Sequence, residues 1–202
     1  MYRKYDAKLK STVLTIFAGE CFVSKSNEII STVLGSCIAV CLSDHSKGIG
    51  GMNHFMLPEG RAASNRIMLN SSSIETDELA EKSMRYGLTA MEVLIAEMQK
   101  KGADRKNLRA KIFGGGNVLS RNSSTQSVGD KNIGFARAFL KMEGIPIEKE
   151  NVGDKYGRKI FFLSGQNKVF LKKVSVEKAL TEEQNYMKRL MEMKKQGEIT
   201  IF

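Results

Sequence analysis

EIISTVLGSCIAVCLSD, residues 28–44, is the stretch whose reading decides the fold. Ile29, Ile30, Val33, Leu34, Ile38, Val40 and Leu42 make it β-branched and apolar, and Glu28 and Asp44 bound it, which is the composition of strands packed in a sheet. A Gly35-Ser36 pair interrupts the apolar run directly before Cys37. Glycine gives the backbone freedom to turn there, so Cys37 either fills a core or is aimed into a cleft where its thiol does chemistry.

The neighbouring segments extend the pattern. LTIFAGECFVS (14–24) has the same strand character, and STVLTIFAG (11–19) alternates Val13, Thr15 and Phe17, predicting a first strand and not an export segment. DHSKG (44–48) is a turn, and IGGMNHFMLPEG (49–60) reads as a further strand closed by Pro58 and Gly60. Residues 59–76, polar and rich in serine, predict a loop, lid or insertion. From Thr76, read as an N-cap, the period becomes helical through Leu79, Met84, Leu88, Met91, Leu94, Ile95 and Met98, with Gly102 as the stop. LRAKIFGGGNVL (108–119) predicts a buried strand running into three glycines. SRNSSTQSVGDKN (120–132) follows as a loop, and GFARAFLKMEG (134–144) predicts a second helix. IPIEKENVG is strand-like, GRKIFFLSGQNKVFLKKVSV reads as a hairpin turning at SGQN, and Glu177–Lys195 has the pattern of an amphipathic helix outside the main core.

Strands first, helices interleaved irregularly and a late hairpin predict an α+β fold: mixed sheets forming a layered sandwich with flanking helices. The expected organisation is a single catalytic domain over 1–174 with a C-terminal amphipathic helical extension over 175–202.

Composition narrows the function. Of 202 residues 42% are hydrophobic and 27% charged, and no apolar run approaches the ~20 residues of a membrane helix, so no membrane insertion is expected. Three cysteines, an odd number, argue for free thiols in a reducing compartment, the cytoplasm by default. The net charge of +10 would attract nucleic acid, anionic lipid or acidic protein. Its clusters, at Arg3, Lys4, Lys8 and Lys10, at 100–111 and in the tail, have little aromatic interleaving. Trp is absent and no binding motif appears, so nucleic acid is not the expected partner. GGGN lacks the Lys-Ser/Thr ending of a phosphate loop, and without a C-x2-C pair no metal site is expected.

A thiol attacks only as thiolate, so a nucleophilic cysteine needs a base, usually histidine. Only His45 and His54 are present. His45 lies in the polar turn, whereas His54 lies among Met52, Phe55, Met56 and Leu57. Cys21 and Cys41 sit mid-strand among apolar neighbours and read as inert core thiols, whereas Cys37 follows Gly35 and Ser36, where a flexible backbone can aim the thiol into a cleft.

STVLGSCIAVCLSD, GIGGMNHFMLP, YGLTAMEVLIAEMQKKGADRKNLRAKIFGGGNVL and NIG (132–134), in this order, resemble the chemoreceptor glutamine deamidase family (CheD) of bacterial chemotaxis over roughly residues 13–172. The resemblance implies Cys37 as nucleophile, His54 as its base and an upstream hydroxyl that orients the histidine. That hydroxyl is Ser31 or Thr32: strand alternation puts residues six apart on one face and favours Ser31, a bulge would favour Thr32, and threonine is the family's residue. Gly35, Ser36, Asn53, Gly114 and Gly115 complete the expected oxyanion and substrate-binding set. Departures occur at IGFAR, which lacks the family's asparagine, and at NVGDKYGRK, which keeps Gly153, Gly157 and Arg158 without the usual aspartate. The implied activity is conversion of glutamine to glutamate on the cytoplasmic domain of a chemoreceptor (methyl-accepting chemotaxis protein), with no cofactor. The alternative is a regulatory module pairing with a CheC-type phosphatase.

Overall fold

Gly35 and Ser36 divide the deciding stretch between two sheets. In a computed structural model, which describes residues 1–57, 74–117, 127–175, 177–179, 181 and 184, residues 28–44 form β4 (Ile29–Leu34) and β5 (Ile38–Asp44). The other strands are β1 (Tyr2–Asp6), β2 (Ser11–Thr15), β3 (Cys21–Ser24), β6 (Ile49–Asn53), β7 (Leu108–Gly114), β8 (Ile147–Val152), β9 (Gly157–Leu163) and β10 (Lys168–Val174). Helix α1 (Ile74–Lys100) joins β6 to β7, and α2 (Val128–Met142) joins β7 to β8.

One sheet has the order β1-β2-β4-β9-β10 and the other β3-β6-β5-β7-β8, each mixed, with β2–β4 and β7–β8 the parallel pairs. Alternation along the strands sorts the core into two slabs. Ile38, Val40 and Leu42 face α1 and α2, meeting Met91, Leu94, Met98, Phe139 and Leu140. Cys37, Ala39 and Cys41 face the first sheet, meeting Leu14, Ile16, Ile30, Leu34, Ile160 and Phe162. Every residue of β5 is buried because both faces of its sheet are covered, which is why its sequence shows no polar alternation. The architecture is α+β, helices on sheet on sheet, in a single domain.

Several local readings change. Residues 14–24 are not one strand: β2 ends at Thr15 in the first sheet and β3 begins at Cys21 in the second, with a turn at Gly19 (φ +82°) between them. β1 carries no apolar pattern because it is an exposed edge strand, where basic residues are the usual protection. Helix α1 already includes Thr76, which is therefore not its N-cap. α2 begins six residues before Gly134 because Ser127 and Asp130 form a capping box inside the polar segment read as loop. The expected turn at SGQN is present, as a short 3₁₀ turn over Ser164–Gln166 followed by left-handed Asn167 (φ +49°). Most of the serine-rich 59–76 segment and most of the tail helix lie outside the described residues.

Candidate active site

His54 is fixed at three points. Past β6 its backbone groups pair with the Gly19–Glu20 turn, through His54 N–H to the Glu20 carbonyl (3.0 Å) and Gly19 N–H to the His54 carbonyl (2.7 Å). On the ring, Thr32 Oγ1 lies 2.7 Å from Nδ1. The same hydroxyl donates to the Ile16 carbonyl at 2.8 Å. A threonine hydroxyl has a single proton, so toward the ring it accepts, which assigns the proton of neutral His54 to Nδ1 and the lone pair to Nε2. Nε2 is buried and has no hydrogen-bond partner among the described residues. Burial pushes the His54 pKa down to about 3, so the ring is neutral at ordinary pH and its lone pair is unprotonated.

Cys37 is brought to this ring by register. Cys41 pairs with Met52, and Ile38 with Phe55 through two backbone bonds of 2.9 Å, so the same frame sets Ala39 opposite His54. Cys37, two residues before Ala39, is thus the diagonal neighbour of His54 on the same face, at a typical backbone separation of roughly 7–8 Å that a histidine side chain spans. Both line one cavity of about 230 Å³, together with Thr15, Ile16, Phe17, Ala18, Thr32 and others, although only 1% of Cys37 and 6% of His54 is exposed.

The cavity has an identifiable opening. β2 pairs with β4 only as far as Thr15↔Ser31, with one further bond from Ile16 N–H to the Ser31 carbonyl, while β4 continues to Leu34. Past that point β2 has ended, the Thr32 hydroxyl holds the Ile16 carbonyl, and Ile16–Ala18 and Thr32–Val33 all line the cavity as a slot.

The cysteine loop is braced from behind. Asn132 on α2 donates to the Ser36 carbonyl (2.8 Å) and accepts from Leu57 N–H (2.9 Å), tying the segment before Cys37 to the segment after His54. Gly115 N–H donates to the Cys37 carbonyl and Gly116 N–H to the Gly35 carbonyl, each at 2.7 Å. Gly114 is glycine by necessity: its φ is +110°, and a Cβ there would run into the Cys37 carbonyl oxygen. Arg158, paired with Leu34 across β4–β9, is fully buried behind the same loop, with Nε on Asn151 Oδ1 (2.7 Å) and its guanidinium stacked over Tyr156. Burial lowers its pKa.

The expected site residues therefore separate. Cys37, His54, Thr32 and Ser31 share the cavity, and the hydroxyl that meets His54 is Thr32's, not Ser31's. The alternation that favoured Ser31 fails because it was counted along one strand, whereas Cys37 lies beyond the Gly35-Ser36 crossing in the other sheet. Asn53 points to the opposite side, accepting from Val40 N–H and donating to the Ala90 carbonyl of α1, each at 3.0 Å. Gly35, Gly114 and Gly115 support the cysteine backbone and do not line the cavity; Ser36 does not line it either. The sequence reading missed Asn132 as a brace, although the N-I-G run that contains it was visible as a motif. Burial raises the pKa of both other thiols; Cys41 is a core thiol as expected, whereas Cys21 is only half-buried at the edge of the core.

A family model described as CheD chemotactic sensory transduction matches residues 68–173. The chain belongs to the CheD family. Named "Probable chemoreceptor glutamine deamidase CheD", a protein of Methylobacillus flagellatus is 40% identical over 201 residues, 98% of this chain and 93% of its own length. A Thiobacillus denitrificans protein of the same name matches at 40% over the same shares, and one from Bordetella avium at 42% over 89% of this chain and 73% of its own. A solved structure, Bacillus licheniformis hypothetical protein YfiH, aligns at TM-score 0.39 and 16% identity over 65% of this chain and 49% of its own. In this CheD chain no described helix is long and apolar enough to cross a membrane.

Proposed function

We propose that this protein hydrolyses the side-chain carboxamide of glutamines on a chemoreceptor's cytoplasmic region, with Cys37 as nucleophile. Support comes from the names of its CheD relatives and, above all, from one geometric observation: Thr32 holds the proton of His54 on Nδ1 and leaves the Nε2 lone pair without a partner among the described residues, on a ring that lines the same cavity as Cys37.

Nε2 takes the thiol proton as the sulfur attacks the carboxamide carbon, and the carbonyl electrons move to oxygen. The backbone N–H of Cys37, the residue of that turn which lines the cavity, donates to the oxyanion in a water-poor site, where such donors act most strongly. As the tetrahedral species collapses, His54 returns the proton to the leaving nitrogen and ammonia departs. In the second half Nε2 deprotonates water, hydroxide attacks the thioester, and Cys37 leaves as glutamate forms. A neutral imidazole suits the base role. The same burial makes the imidazolium costly, so a lasting thiolate–imidazolium pair is disfavoured and proton transfer accompanies attack.

The +10 charge fits an acidic partner and predicts association that weakens with salt. Mass spectrometry of a receptor cytoplasmic fragment incubated with the protein tests the reading: a gain of about one dalton per modified glutamine is expected, abolished by Cys37→Ala. If no gain occurs with folded protein and a cognate fragment, catalysis is refuted and the regulatory module pairing with a CheC-type phosphatase takes its place.

A further inference from the structure

The slot toward Cys37 opens on the outer face of the first sheet, the side away from the second sheet. Cross-strand partners share a face, so the pairs Tyr2↔Thr15, Thr15↔Ser31 and Val33↔Lys159 place these five residues together, and all of them line the cavity. They stand opposite in sense to Leu14, Ile30 and Leu34, which fill the space between the sheets. A path therefore runs from this outer face, past Ser31 and Val33, to the thiol and imidazole within.

Two features of the path point to its ligand. Ser31 is fully buried, yet its Oγ has no hydrogen-bond partner among the described residues, which leaves a polar group in the wall for something polar to meet. The second is positive charge: Lys159 and Lys178 both line the cavity, and among the described residues no Asp or Glu does. Lys178 belongs to the helical turn after β10, where Ala179 N–H reaches the Ser175 carbonyl (3.2 Å) and Ala179 itself is fully buried. That turn is seated on Gly157, where an added Cβ would come within 2.6 Å of Ala179 Cβ. The start of the C-terminal segment thus forms part of the mouth.

We propose that glutamine side chains enter through this slot from the outer face, that the Ser31 hydroxyl bonds the carboxamide, and that Lys159 and Lys178 select glutamines flanked by carboxylates. The inference rests on the deamidase reading and deepens it by naming the substrate's surroundings. A carboxylate one helical turn from the glutamine lies beside it on the same face, within range of a cationic rim. The selection is electrostatic, so it discriminates by charge and fades with salt.

Alkylation of Cys37 reads the mouth without requiring turnover. Iodoacetate and iodoacetamide differ by one negative charge, and their rates at Cys37, followed by peptide mapping at low salt, give a ratio to set against that of a small free thiol. Iodoacetate is expected to be favoured, with the preference falling roughly threefold in Lys159→Gln and in Lys178→Gln, the scale of one partly exposed charge pair. Gly157→Ala, which displaces the turn without touching the cavity lining, should lower the ratio in the same direction. With a receptor fragment, Ser31→Ala should lose roughly fivefold in kcat/KM, the scale of one hydrogen bond. A ratio unchanged by all three variants while deamidation proceeds overturns the mouth; so does failure of both reagents to reach Cys37. A lysine-dependent ratio with no deamidation upholds the anion-selecting mouth and refutes the deamidase reading instead.

Discussion

Replacing Thr32 by valine keeps the volume and shape of a buried, 1% exposed side chain and deletes one oxygen. That oxygen carries two bonds, to the Ile16 carbonyl and to His54 Nδ1. Each is worth roughly 1 kcal/mol net, and a stranded Nδ1–H costs about 1–3 kcal/mol more, so unfolding free energy should fall by about 3–5 kcal/mol if the ring stays as it is. The ring has an escape: it can move its proton to Nε2 and abolish the lone pair there. A tautomer bias of about 2–3 kcal/mol corresponds to a loss of roughly 30- to 150-fold in kcat/KM. Thr32→Ser retains the oxygen and should recover most of that loss. The assay is deamidation rate by mass spectrometry beside urea unfolding, with the ¹⁵N chemical shifts of His54 reporting which nitrogen is protonated. Native shifts showing protonated Nε2, or a valine variant within threefold of native activity, would refute the reasoning.

Further outcomes follow from neighbouring contacts. Asn132→Leu strands the Ser36 carbonyl and the Leu57 N–H in one stroke, and should cost roughly 2–4 kcal/mol of stability and slow Cys37 alkylation, checked by unfolding and labelling. Gly114→Ala forces a side chain into left-handed backbone (φ +110°) against the Cys37 carbonyl, so it should destabilise by more than ~1 kcal/mol and depress activity, whereas Gly134→Ala, where the added Cβ meets nothing, should not. His54 predicts an acid limb: its folded pKa, near 3, lies below the unfolded value of 6.5, so the unfolded chain binds the extra proton. Its contribution is present above pH 6.5 and is lost as pH falls toward 3, at up to about 1.4 kcal/mol per pH unit. Subtracting the pH–stability curve of His54→Gln from the native one should isolate that slope.

Much of this protein is written locally. The run from Glu28 to Asp44 declares two strands and a break because β-branched residues and a Gly-Ser pair act over a few positions, and the period of Leu88–Met98 declares a helix for the same reason. Cys37 and His54 could be singled out because a thiol in a turn and an imidazole in an apolar run are chemically unusual wherever they fall. β1 escaped because an edge strand needs no apolar face, and the start of α2 escaped because a capping box is built from the same polar residues as a loop.

What the chain order could not decide was which distant groups meet. Thr32 displaces Ser31 because Gly35 and Ser36 carry the chain from one sheet to the other, and strand parity does not survive that crossing. Asn53, adjacent to His54, faces α1 because alternate residues of a strand look in opposite directions. Asn132 reaches Ser36 across 96 residues, and Lys178 reaches the cavity only because Ala179 seats on Gly157. Local propensities fix strands and turns; the packing of one sheet on another fixes which hydroxyl, which amide and which lysine surround the thiol.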